Sequence, residues 1–119
     1  MVINLDYKKR EAIYEQIVSE IERYVSLGVL KPNEKIPSVR NMALDLGINP
    51  NTVKKAYDIL EERGVIVTLS TKGTFISEKI DKVKKTKEKE LLSKINSLIK
   101  ELEKFGLSKD EILERLKGV

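Results

Sequence analysis

Asn51, Thr52, Lys54 and Lys55 fall within one run of five residues and offer a carboxamide, a hydroxyl and two ammonium groups. A carboxamide donates and accepts in one plane, which suits the edge of an adenine, and an ammonium can reach guanine or phosphate. None of these groups is a strong nucleophile or base at neutral pH, so their chemistry is recognition. Arg40 upstream and Lys72 downstream add two more cations. The sequence has no histidine and no cysteine, which excludes disulfide scaffolds, Cys/His zinc sites, cysteine nucleophiles and histidine general bases. No carboxylate pair falls in an evident pocket. Catalysis, a metal and a cofactor are therefore not expected.

Those groups need elements to hold them. Asn49 can cap a helix with Pro50 at its first position, where no backbone N–H is required. Val53, Ala56, Tyr57 and Leu60 recur at core spacing, and Gly64 closes the helix. At about 100° per residue, Asn51, Lys55, Asp58 and Glu62 lie roughly opposite that core face, with Thr52 and Lys54 beside them. The polar and basic groups occupy the first half and the acids Asp58, Glu61 and Glu62 the second. A helix that enters a major groove does so N-terminus first, and acids at its far end avoid the phosphates. Taken alone, this face admits two readings, a solvated surface or a DNA-reading one. Asn49 alone reads more naturally as a cap than as a base contact.

Ser38 can cap the preceding helix, whose Val39, Met42, Ala43 and Leu46 point inward and which Gly47 ends. Arg40 in its first turn opposes the helix dipole, a cost that a nearby phosphate would offset. An exposed arginine or an internal salt bridge explains it equally well. Further upstream, Ile13, Ile17, Ile21 and Val25 step by four through a helix from about Arg10 to Leu27, and "VINLDY" before it alternates like a short strand. "LKPNEKIP" is an extended or turning connection with room for a short strand. After Gly64, "VIVTL", "STKG" and "TFIS" read as a β-hairpin with Gly73 available for its turn and Lys72 at its tip. A cation there suits phosphate or the minor groove, and equally suits solubility. Helix, helix, the three-residue turn "GIN", helix and hairpin is the order of a winged helix-turn-helix, here over residues 1–77.

Composition changes after Ser77. Residues 1–77 hold eleven Lys/Arg against ten Asp/Glu, and residues 78–119 twelve against nine, within a total of +4. Attraction to an anionic partner must therefore come from local placement. Six lysines fall between Lys79 and Lys89. That run reads either as a solvated connector or as an added source of phosphate attraction. Leu91, Ile95, Leu98, Leu102 and Phe105 then step by 4, 3, 4 and 3, an a/d seam. "SKDE" is a capping box opening a last helix with Ile112, Leu113 and Leu116 inward. Residues 78–119 thus read as a lysine-rich link and a helical hairpin with more apolar surface than two helices can bury, which favours pairing with a second copy. No apolar run is long enough to span a membrane, and no signal-peptide core is present. A cytoplasmic location is expected.

The stretch "KIPSVRNMALDLGINPNTVKKAYDILEERGVIVTLSTKGTFIS" (Lys35 to Ser77) closely resembles the winged-helix DNA-binding domain of GntR-family bacterial transcription regulators. The likeness rests on Pro37-Ser38-Val39-Arg40, Leu46-Gly47, Thr52-Val53, Gly64 and Gly73-Thr74-Phe75, with "AIYEQIVSEI" resembling the first helix. "INPNTV" and the short helical tail resemble the YtrA-like branch. The resemblance implies a mainly α fold, a winged helix-turn-helix of three helices plus a β-hairpin wing, with a C-terminal helical hairpin for dimerisation. It further implies a homodimer on a palindromic double-stranded operator, usually a repressor. By the same resemblance Arg40, Asn49, Asn51, Thr52, Lys54 and the wing at Lys72 match positions that contact DNA, and Ser38, Lys55 and Gly73 beside them complete the candidate DNA-binding set. Two positions depart from the pattern. Thr71 replaces a wing glycine, and Pro50 stands where other branches have arginine, which shifts readout toward Asn51 and Lys55. A winged helix can instead serve as a protein-interaction module without DNA. An apolar cavity between two tails could accept a small-molecule effector.

Overall fold

A computed structural model describes residues 1–118. Its elements run α1 (Ile13–Ser26), β1 (Lys35–Ile36), α2 (Val39–Leu46), α3 (Pro50–Glu62), β2 (Ile66–Leu69), β3 (Gly73–Ile76), α4 (Ile80–Lys104) and α5 (Lys109–Lys117). The described residues are mainly α, with one three-stranded antiparallel sheet in the order β1-β3-β2. The first three helices and the sheet form the winged helix-turn-helix that the element order implies.

The four-residue recurrence in α1 becomes a buried stripe of Ile17, Ile21 and Val25, with Ile13 half-buried at its start. The helix begins at Ile13, later than the periodicity suggests. Residues 6–11 are instead tied down by Gln16, a buried amide. Its Oε1 accepts from the Asp6 N–H at 2.8 Å, and its Nε2 donates to the carbonyls of Asp6 (2.8 Å) and Glu11 (3.0 Å). "VINLDY" is not a strand. Ile3 is buried and Leu5 half-buried on the core, so the alternation serves packing, and the Tyr24 hydroxyl donates to the Val2 carbonyl where a strand neighbour would have been.

The "KIP" segment supplies the third strand, pairing Lys35 with Phe75 and Ile36 with Thr74 before Pro37 ends the ladder. On the other side of β3 the wing register sets Ile66 against Ile76 and Leu69 against Gly73. Gly73 therefore lies in β3, and Ser70 to Lys72 make the turn, closed by the Lys72 N–H donating to the Leu69 carbonyl at 2.7 Å. Gly73 is still needed. Its φ of 120° is one that side-chain-bearing residues rarely adopt, and a Cβ there would lie 2.8 Å from Lys35 Cε.

The chain divides into two compact units between Val83 and Lys84, not at the composition change near Ser77. Ile80 is buried and Val83 half-buried on the core of the first unit, which carries that unit into α4. The lysine run is correspondingly helix, not a link, since α4 is continuous from Ile80 to Lys104. In the second unit Ser108 and Glu111 form the capping box, each side chain accepting from the other's N–H at 3.2 Å. Ile112 is buried. Leu113 and Leu116, expected inward beside it, are exposed. Leu113 lies about 100° round the helix from Ile112, and Leu116 sits a turn beyond it near the helix end. No helix among the described residues is long and apolar enough to cross a membrane.

Candidate nucleic-acid interface

Two capped helix starts and one tight turn build the site. Ser38 Oγ accepts from the Asn41 N–H at 3.1 Å, fixing the start of α2. The Gly47 cap at its end is left-handed, φ 65° and ψ 39°, and lets the chain reverse within one residue. Asn49 Oδ1 then accepts from the Asn51 N–H at 2.8 Å and fixes the start of α3, with Pro50 in the first turn as expected. Asn49 thus acts as a cap. Arg40 on the first turn of α2 and Asn51 on the first turn of α3 are both exposed, and Thr52 is half-buried beside them.

Tyr57 adds a fastening that periodicity does not show. Its phenol is buried with the core face of α3 and donates to the Pro37 carbonyl at 2.6 Å, one residue before the Ser38 cap. Desolvation raises its pKa above the ordinary tyrosine value. The signal was the residue type itself, since a phenol on a core face needs a partner. A second unforeseen link joins α3 to the wing, where Glu61 Oε1 accepts from the Thr68 N–H at 3.1 Å. This occupies a donor on β2, an edge strand of the sheet.

The two lysines of α3 are engaged within the molecule. Lys54 Nζ lies 3.0 Å from Asp58 Oδ2 one turn on. Both groups are largely exposed, and such pairs contribute only about 0.3–0.5 kcal/mol, which a phosphate readily exceeds. Lys55 Nζ lies 4.0 Å from the centroid of the Tyr14 ring on α1. Its ammonium therefore leans on a neighbouring helix and does not stand on the outward face that an isolated helix would give it. Lys72 is exposed on the wing turn. The structure thus brings Ser38, Arg40, Asn49, Asn51, Thr52, Lys54 and Lys55 onto two consecutive helices, with Lys72 and Gly73 on the hairpin that follows. The exposed residues Leu91, Ile95, Leu98, Leu102, Phe105, Leu113 and Leu116 belong to the second unit.

A family model described as bacterial regulatory proteins, gntR family, matches residues 13–76, which span α1 to the end of β3. The chain belongs to the GntR family. It is 35% identical to the HTH-type transcriptional regulator YhcF of Bacillus subtilis over 93% of its own length and 92% of that protein's. It is 46% identical to the repressor YtrA of the same organism over 65% of its own length and 59% of YtrA's. Among solved structures, a transcriptional regulator from Oenococcus oeni superposes with a TM-score of 0.70 at 38% identity, covering 96% of this chain and 95% of that one. The DNA-binding domain of AraR in complex with operator ORE1 superposes with a TM-score of 0.54 at 25% identity, covering 65% of this chain and 94% of that one. GntR-family chains of this kind are DNA-binding transcriptional regulators, a non-enzymatic role, and this chain is one of them.

Proposed function

We propose that this GntR-family chain is a homodimeric repressor that holds a palindromic operator between two winged helices. The observation that carries the homodimer is the seam of the second unit. Leu91, Ile95, Leu98 and Leu102 fall at a/d spacing along α4 and are all between 40% and 59% exposed. A row of this kind is covered in water by another apolar face, and a second copy supplies one by symmetry. The repressor assignment rests on likeness to YtrA, and the operator on likeness to AraR.

In this reading Asn51 and Thr52 address base edges from the first turn of α3, and Arg40 and Lys72 address phosphates from α2 and the wing. Lys54 exchanges Asp58 for a phosphate on binding. Ser38, Asn49 and Gly73 act through backbone geometry, as two caps and a wing corner. Lys55 steadies α3 against Tyr14, so the readout that Pro50 displaces falls chiefly on Asn51. Two-fold symmetry sets the half-sites about 34–36 Å apart.

Sedimentation and mobility-shift titrations with competitor DNA test the reading together. The expected result is a dimer in solution and one retarded species whose affinity falls steeply with salt. A monomer at micromolar concentration removes the homodimer. Retention of a protein partner with no salt-dependent DNA retardation would favour a protein-interaction module instead.

A further inference from the structure

A cluster of cations outside the helix-turn-helix and the wing remains unassigned. Lys8, Lys9 and Arg10 are exposed, consecutive, and in no ion pair among the described residues. Four other cations of α1 and α3 are engaged. Arg23 pairs with Glu20 at 3.1 Å, Arg63 with Glu22 at 3.0 Å and Lys54 with Asp58 at 3.0 Å, while Lys55 sits on Tyr14. Asp6, Glu11 and Glu15 lie close in sequence, but none of them forms an ion pair with the cluster among the described residues. Asp6 Oδ1 accepts from the Lys8 backbone N–H at 2.9 Å, Glu15 Oε1 accepts from the Ala12 N–H at 3.3 Å, and Glu11 makes no ion pair.

The position of this loop follows from two contacts between α1 and α3. Tyr14 meets Lys55, and Glu22 meets Arg63. The partners are eight residues apart along each chain segment, Arg63 being the C-cap of α3, about 12 Å of axis, and both pairs advance in the same direction. The helices therefore run in the same sense, and the N-terminus of α1 lies at the same end as that of α3. The loop that leads into α1 is thus carried toward the end of the first unit at which α3 begins. It is also held in place: the three hydrogen bonds of Gln16 and the turn at Asp6 fix residues 6–11 before any ligand arrives.

We propose that Lys8, Lys9 and Arg10 form a second DNA-backbone contact, held by the buried Gln16 amide toward the end of the first unit at which the recognition helix begins. The contact binds phosphates flanking the bases that α3 reads. Its attraction comes from local placement within a unit whose total charge is nearly balanced, and it has no preference for sequence. Because the loop is already ordered, little conformational entropy is lost when it binds. Gln16 is a positioning residue here, touching no DNA.

The inference rests on the DNA-binding reading above, and the experiment separates their failures. Full-length protein is titrated with operator and with random duplex between 50 and 200 mM salt. If the unaltered protein shows no salt-dependent binding, the DNA-binding reading fails. If it binds, a Lys8→Gln, Lys9→Gln, Arg10→Gln triple variant decides the inference. Its expected loss is equal on both duplexes, about one to two orders of magnitude at 50 mM and smaller at 200 mM, with a slope shallower by about 0.9 per phosphate contact removed. Gln16→Ala keeps all three charges and should show part of the same loss at a temperature where its circular dichroism remains native. Lys31→Gln, an exposed cation beyond the opposite end of α1, should change nothing. Unchanged affinity and slope in the triple variant overturn the contact, as does an equal effect per charge from Lys31→Gln. A Gln16→Ala protein that binds like the parent overturns the positioning role.

Discussion

In the first unit Ile17, Ile21, Val53 and Leu60 are wholly buried, while in the second Leu98 is 59% exposed and Ile112 is the buried side chain among the described residues. Both units draw on the same aliphatic residues at helical spacing. What differs is the second layer. Around the first unit α1, α2, α3 and the sheet each cover the others, within a segment short enough to close on itself. The second has two helices, and the stripe along α4 is longer than the nine residues of α5 can cover. A periodic pattern tells which face is apolar but not what will lie on it. In the proposed dimer the first unit closes its own core and the second is completed by the partner copy.

The sharpest way to break that comparison is to charge the seam. Leu98→Asp combined with Leu102→Asp should convert the protein to monomer in sedimentation. Operator affinity should fall about 100- to 10,000-fold, because the second half-site is no longer delivered by the first. The thermal transition of the first unit should hardly move, since neither residue belongs to its core. A double variant that stays dimeric with full affinity would show that the exposed leucines are not the interface and that the contrast between the units is only apparent.

The same contrast explains which features could be read before the fold was known. The core faces of α1, α2 and α3, both caps around the helix-turn-helix and the order of elements follow from local spacing and local chemistry, and the structure places them accordingly. Features that depend on a neighbour distant in sequence do not. The Lys55 ammonium rests on Tyr14 because α1 packs there, a contact spanning forty-one positions that no helical wheel contains. Residues 2–7 alternate like a strand yet have no strand beside them, and Gln16 and Tyr24 supply the hydrogen bonds instead. Ile80 and Val83 sit in a lysine-rich run whose composition conceals that they complete the first core. Leu113 and Leu116 are apolar in the expected register, but their cover is not in this chain's described residues.

A finer test divides the recognition surface of the first unit. Asn51→Ala should relax preference at a single operator position and cost about 1–3 kcal/mol there, leaving affinity for random duplex nearly unchanged. Lys72→Ala should weaken operator and random duplex alike and flatten the salt slope by about 0.9. Binding to a panel of single-base operator variants at two salt concentrations distinguishes them. Equal losses on every duplex for Asn51→Ala would remove it from base readout and leave the N-terminus of α3 as another backbone contact.

The smallest expected effect concerns how the first unit holds its own helices together. Tyr57→Phe keeps the ring and removes the hydrogen bond to the Pro37 carbonyl, a change worth about 0.5–1.5 kcal/mol in urea denaturation. The phenol also predicts a pH dependence. Burial disfavours its phenolate, so the folded protein keeps the proton to a higher pH than the unfolded chain does. The stabilising contribution is complete below about pH 10, the ordinary tyrosine value, and declines above it as the unfolded state ionises. Stability should therefore fall above that pH by up to about 1.4 kcal/mol per unit from this group. The Phe variant should lose that component of the slope while remaining slightly less stable at neutral pH. If the two proteins instead decline in parallel above pH 10, other groups govern alkaline unfolding, and the weight of the Tyr57 contact is only its offset at neutral pH.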